Sequence, residues 1–330
     1  MAQARHDSVV RFRNYYSHAN REECSFLLQL CEEDDIKYKD IWRDHRRTLL
    51  QKKPDNKIGK HVVAISDGLL FFDFALLWLY EYATALTLAF LEKSGDKQKD
   101  ARHNVMMLIA WRACTDFAAV RTLVLEGFDV QAKQVLRSAS ENIDALGAAA
   151  LNPDFAADFV SEQDLERTKV MWFKHIAKGK ARKLILAEVK QSIGLSTDEV
   201  SSVNIYRDEE ELVLSAVAHP SYISGFHSFL PDYNESDNDG PVGIVQTVSR
   251  FSMRTLRFGC LRIFDHCMYD LLIFKSCEQY LSSRSLETLS KSMPRTLNFV
   301  NGGRHVAGKM YTHLGEKKSD RDIQANKVLN

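Results

Sequence analysis

The sequence predicts an all-α protein, a multi-helix bundle built around a central antiparallel hairpin over about residues 102–151. Three observations predict it. Apolar residues recur at steps of three and four over long stretches, which is the period of one helix face. No run alternates β-branched and polar residues as a half-buried strand would. The 330 residues contain only 6 prolines and 15 glycines, too few to punctuate a chain of many short strands.

The hairpin carries the clearest periodicity. In its first arm Met106, Ala110, Ala113, Phe117, Val120 and Val124 form one stripe, and in its second arm Leu136, Ala139, Ile143, Leu146 and Ala150 form another. Gly127 stands where the first helix must stop, because a residue without Cβ enters the left-handed conformation at little cost. Asp129 is the expected N-cap of the second arm. A connection this short makes the arms antiparallel neighbours. Each arm also carries charge at helical spacing: Arg112 with Asp116, and Arg137 with Glu141 and Asp144. Closing the hairpin brings Asp116 level with Ala139 and Arg112 level with Ile143. The expected result is a polar cluster in which each arginine reaches the acids of the other helix.

Around the hairpin the chain divides into three parts. Residues 1–60 read as a polar N-terminal helical arm with a narrow apolar stripe at Phe26, Leu27, Leu30 and Ile41. Residues 61–283 form the bundle core. Its stretch 62–91 is apolar enough to raise a membrane span, but Asp67, Asp73 and Glu81 share about one third of the helix circumference. Each such charge costs about 2.5–3.5 kcal/mol at a bilayer centre. A core helix with one acidic edge fits better, and that edge is positioned to face the hairpin arginines. A helix opened by Asn152-Pro153-Asp154 is expected to run through Trp172. It leads into a basic patch of Lys174, His175, Lys178, Lys180, Arg182 and Lys183. The run Asp208-Glu209-Glu210-Glu211 suits the first turn of a helix that carries Ser215 and His219. A long helix over about 245–282 places Arg250, Arg254 and Arg257 on one stripe. Beyond residue 284 apolar periodicity fades, and 284–330 reads as a basic, loosely ordered tail.

Composition narrows the function classes. Lys plus Arg and Asp plus Glu both number 44, so no global field points to nucleic acid or membrane, and any anion site must be local. The six cysteines form no Cys-x-x-Cys pair and sit among apolar residues, as buried thiols of a reducing compartment do. The first eighteen residues hold no apolar core of a signal peptide, so a cytoplasmic protein is expected. There is no Gly-rich phosphate loop, zinc spacing or nucleophile elbow. The acidic loop 231–243 fails as a calcium loop, with Asp237 where glycine is needed and Gly243 where the bidentate Glu should stand. No cofactor or metal is expected.

Two patterns point toward chemistry. Arg13-Asn14-Tyr15-Tyr16-Ser17-His18 resembles the Arg-polar-x-x-x-His motif of HEPN-type ribonucleases, which are helical bundles. That resemblance implies that Arg13 and His18 act on the scissile phosphate of RNA, across a homodimer, by metal-independent chemistry. Here, however, the motif lies at the extreme N-terminus rather than in a late helix. The run Val120–Leu146, followed by Leu214–Ser221, is similar to a family of uncharacterised bacterial helical proteins. These share an Arg-Ser-x-x-Glu helix and a later Ser-x-x-x-His-Pro segment, matched here by Arg137, Ser138, Glu141, Ser215 and His219. The similarity implies that Arg137, Glu141 and His219 converge. The leading expectation is therefore a helical-bundle protein of bacterial defence or stress type that binds or cleaves RNA. Phosphates would lie on Lys174, Lys178, Lys180, Arg182, Lys183, Arg250, Arg254 and Arg257. The competing expectation is a non-enzymatic interaction or scaffold protein whose cluster of Arg112, Asp116, Asp144 and Ser215 is structural.

Overall fold

The computed structural model describes residues 11–12, 14–51, 62–92, 95–161, 164–194, 196, 207–208, 210–217, 250–274 and 283–328. Arg13, His219, the side chain of Arg250 and the loop 231–243 lie outside the described residues and side chains. Among the described residues there is no strand, and the chain is all-α. The helices are α1 (Arg21–Glu33), α2 (Tyr38–His45), α3 (Val62–Leu91), α4 (Lys97–Leu125), α5 (Asp129–Leu151) and α6 (Pro153–Ser161). They continue as α7 (Leu165–His175), α8 (Lys180–Ile193), α9 (Arg250–Tyr269), α10 (Ser283–Ser292) and α11 (Pro294–Val328).

Helices α4 and α5 meet at the glycine. Gly127 has φ 76°. Its N–H donates to the Val124 carbonyl at 3.0 Å and the Phe128 N–H to the Leu123 carbonyl at 2.8 Å, the two bonds of a Schellman stop. The predicted cap is different, however. Phe128 holds the N-cap position of α5, with no side-chain cap. Asp129 is instead buried and accepts the Ser252 hydroxyl of α9 at 2.6 Å, because α9 lies across the start of α5 and supplies a better donor than a frayed first turn. Across the hairpin Asp116 accepts from Ser138 at 3.3 Å and from Asn142 at 2.8 Å.

Helix α3 is the core. Leu69, Leu70, Phe72, Phe74, Trp78 and Leu79 have no exposed surface. Its segment Ile65–Leu91 is long and apolar enough to cross a membrane, yet its most apolar window is 67% buried in the bundle. Its acids do not face Arg112 and Arg137 as expected. Asp67 accepts the Asn20 backbone N–H at 2.7 Å, Glu81 meets His45 at 2.5 Å, and Asp73 is paired with Arg121. The acidic edge therefore faces the N-terminal arm, which docks through buried Phe12, Tyr15, Tyr16 and Trp42, and through Asp73 it meets a different hairpin arginine, Arg121 of α4.

Two further expectations are corrected. The helix predicted from Pro153 through Trp172 is two helices, since Asp164 caps the Glu166 N–H at 2.8 Å and restarts the chain. The long helix expected over 245–282 is helical throughout its described part, as α9 followed by a π-helical turn, Asp270–Phe274, and the rest of its range lies outside the described residues. The region expected as a loose tail forms α10 and α11, and Phe299, Val300, Val306, Ala307 and Met310 of α11 are completely buried. Glycines occupy the contact line there. A Cβ on Gly303 would lie 2.5 Å from Trp78 Cδ1, so α11 approaches α3 more closely than any side chain allows. Trp78 Nε1 donates to the Val300 carbonyl at 3.1 Å across the same contact.

His266 of α9 is fully buried among the rings of Trp78, Tyr82 and Phe274, with neither ring nitrogen hydrogen-bonded. Burial pushes its imidazole down to about 3. The unfolded chain, with an ordinary value near 6.5, binds a proton that the folded chain refuses, so stability falls as pH drops below about 6.5. Urea titrations at pH 6.5 and pH 5 are expected to show that His266→Leu removes about 1.4 kcal/mol per pH unit of this loss. At pH 7 the variant should be as stable as the parent, because no hydrogen bond is given up. An unchanged pH slope in the variant would refute this reading.

Candidate functional site

The candidate site is a solvent-reachable pocket of about 250 Å³ beside the hairpin. One wall is a single face of α5, where Arg137, Glu141 and Asp144 follow at i, i+4 and i+7 with Ser140 between them. The opposite wall is the turn between α7 and α8. There the backbone passes through two left-handed residues, Lys178 (φ 59°) and Gly179 (φ 67°), before α8 begins. The floor is Arg207, Glu210 and Arg262, and Trp172, Glu211 and Ser215 complete the lining.

The charges are interlocked. Arg182 donates to Glu211 at 2.9 Å and to Asp208 at 2.6 Å. Arg207 donates to Asp144 at 2.5 Å. Arg262, 1% exposed, pairs with Asp265 and lies 3.1 Å from Glu210. Arg137 and Glu141 form a looser pair at 3.8 Å. Burial works against the Arg207 charge, but Asp144 and Tyr269 more than offset it, so the guanidinium stays protonated. Burial raises the Glu210 carboxyl against the pull of Arg262 and Arg207. Burial likewise raises Glu141, which Arg137 opposes. A raised, half-exposed carboxyl at a pocket wall is a group able to exchange a proton with a ligand.

The structure thus gathers Arg137, Glu141, Asp144, Lys178, Arg182 and Ser215 of the predicted residues in one place. It separates the others. Arg112 binds Asp116 within α4 at 3.3 Å, and neither contributes to the pocket. The expected cross pairs, Arg112 with Asp144 or Glu141 and Arg137 with Asp116, do not form. Arg137 projects from the α5 face turned away from α4, and Asp144 is taken by Arg207. His18, half-buried, lies on the N-terminal arm and is not among the pocket residues.

The basic residues expected to hold phosphates are largely committed. Lys174 pairs with Asp158 at 2.6 Å, and Lys180 donates to the Phe173 carbonyl at 2.8 Å. Lys183 is exposed outside the pocket. Arg254 stacks over Phe258 at 5.1 Å, and Arg257 donates to the Leu314 carbonyl at 2.8 Å, where α11 covers α9. No continuous basic track remains among these described side chains.

Sequence reasoning missed Arg207, Glu210, Arg262 and Trp172 as site residues. Arg207 stands one position before the acidic run, where a helix N-terminus ordinarily disfavours a cation, and that misfit was the available signal. No family model matches the chain, and no curated protein or solved structure shows significant similarity to it.

Proposed function

We propose that the protein binds a phosphate-bearing ligand in this pocket and that RNA is the source of the phosphate. One observation carries the reading. Five cations (Arg137, Lys178, Arg182, Arg207 and Arg262) and four carboxylates (Glu141, Asp144, Glu210 and Glu211) line a cavity that solvent can enter, so its wall carries one more positive than negative side chain in a chain whose overall charge is zero. A pocket of about 250 Å³ excludes a duplex. It admits the end of a strand or one extruded nucleotide, with Trp172 as a stacking surface at the wall. Cleavage, if it accompanies binding, would use Glu141 as the proton-transfer group, with Arg137 facing the phosphate. A role of defence or stress type in bacteria and a homodimer rest on the resemblances alone, and a cytoplasmic location rests on the cysteine pattern.

A second reading has its own support. The guanidiniums of Arg182, Arg207 and Arg262 each already hold a carboxylate, as in a structural network of an interaction or scaffold protein. Titration of labelled single-stranded RNA against the full chain at several salt concentrations separates the two. The RNA reading expects log affinity to fall linearly with log salt, by about 0.7 per phosphate contact for a single strand. Lys178→Ala, at the rim, should lower that slope by about one contact and leave the melting temperature in place. Absence of saturable RNA binding, or affinity blind to salt, would leave only the scaffold reading.

A further inference from the structure

Helix α7 is mostly uncovered. Of its 11 residues, Met171 alone is buried. Four large apolar side chains stand in solvent on it: Leu165 is 88% exposed, Val170 66%, Phe173 49% and Trp172 37%. Single exposed apolar residues are ordinary, but several on one short helix mark a contact surface. Trp172 lines the pocket. The other three share a face. At 100° per residue, Leu165, Lys169, Phe173, Glu166 and Val170 follow in that order across about 140° of the helix, and Met171 lies about 170° from the middle of that stripe. The stripe therefore points away from the body of the protein. The helix that carries it is well held. Asp164 caps the Glu166 N–H at 2.8 Å, and Asp158 of α6 binds Lys174 at 2.6 Å and His175 at 2.7 Å.

Charge decides what covers this face. With its cap, α7 carries the acids Asp164 and Glu166 and the cations Arg167, Lys169 and Lys174, the last already paired with Asp158. Two acids against two remaining cations give no field for an anionic lipid surface or a nucleic-acid backbone. The order of the charges is more informative. Residues 165–170 read apolar, acid, two intervening residues, base, apolar. The intervening Arg167 and Thr168 turn to the flanks of the stripe. A two-fold axis between positions 167 and 168 makes this pattern complement itself. Glu166 of each copy then meets Lys169 of the other, and Leu165 of each copy enters between Val170 and Phe173 of the other. A parallel pairing would instead set glutamate on glutamate and lysine on lysine.

Resting on the homodimer reading, we propose that a second copy of the chain covers this face through an antiparallel α7–α7 seam in that register. The seam is short. Two 11-residue helices meet over about 16 Å, less than a permanent interface needs, so the dimer is reversible and its population follows concentration. Phe173 packs on Trp172 of the pocket wall, with ring centroids 5.0 Å apart, so pairing sets two pockets beside one seam.

Sedimentation equilibrium of the full chain tests the seam. The parent should pass from monomer to dimer as concentration rises. Glu166→Lys and Lys169→Glu, both at exposed positions, should each weaken the dimer at least about tenfold, because one substitution turns both symmetry-related pairs into like charges. Mixing the two variants should restore association, since one copy then offers only lysines along the seam and the other only glutamates. The double variant, E166K with K169E, should regain it as well. Melting curves of the single variants should match the parent's, which separates loss of pairing from loss of fold. A parent dimer that ignores both reversals, or variants that stay apart on mixing, overturns the α7 seam and leaves the homodimer to another surface. A parent still monomeric at about 1 mM overturns both. If that monomer floats with phosphatidylserine vesicles and Phe173→Ser does not, the face belongs to lipid, which equally overturns the seam.

Discussion

Replacing Asp73 by Ala is expected to lower global stability by about 3–5 kcal/mol. Asp73 has no exposed surface and Arg121 is 1% exposed. The guanidinium donates twice to the carboxylate, Nε to Oδ1 at 2.6 Å and Nη2 to Oδ2 at 3.1 Å. Tyr16 donates its hydroxyl to Oδ2 at 2.7 Å, and Arg121 Nη2 donates to the Tyr15 hydroxyl at 2.5 Å, which in turn donates to the Leu50 carbonyl at 2.9 Å. Burial works against the charge on Arg121, and Asp73 more than offsets it, so the cation persists in the fold. Removing the carboxylate leaves that charge buried beside two tyrosines. The double variant Asp73→Leu with Arg121→Met should recover most of the loss, since an apolar pair of similar volume needs no partner. Urea midpoints of the three proteins decide it. A single variant within about 1 kcal/mol of the parent would show that the pair is not desolvated. Because the network ties the N-terminal arm to α3, the single variant should also lose residues 11–51 to protease earlier than the parent.

That network shows what could be read from the chain and what could not. Asp73 was legible as one of three acids on an otherwise apolar helix, and a buried acid demands a partner. Its partner was not legible. Arg121 stands beside Val120 and Val124, where helical spacing alone gives no sign of which face turns toward α3. The hairpin followed from local physics, since a glycine stop and two stripes need no long-range information. Its polar pairs failed for the converse reason. Level positions on adjacent helices are not facing positions, and Arg137 turned toward α7 and α8 instead. The pocket was half legible: Arg137, Glu141 and Asp144 follow from helical spacing on one arm of the hairpin, while Arg207 and Arg262 meet them only through packing of segments far apart in sequence. The C-terminal helix was missed because two of its contact positions are Gly302 and Gly303, which weaken the apolar stripe that a periodicity argument depends on.

The same helix supplies the second large effect. Arg304→Ala is expected to cost about 3–5 kcal/mol, although residue 304 lies in a segment whose composition suggests a disordered tail. Arg304 is 5% exposed and its Nη1 donates to Asp270 at 3.0 Å, while its Nη2 donates to Asn301 at 2.9 Å. Asp270 has no exposed surface and opens the π-helical turn at the end of α9, so the variant strips a cation from a carboxylate that water cannot reach. One residue earlier, Gly303→Ala places a methyl group 2.5 Å from the indole of Trp78, an overlap that the surrounding core must absorb at about 1–3 kcal/mol. The two substitutions act through different partners, α9 and α3, but both press on the docking of one helix. Their combined effect in urea unfolding should therefore fall short of the sum, because a helix already loosened by the first change has less to lose from the second. In a loose tail, each change alone would stay within about 0.5 kcal/mol of the parent.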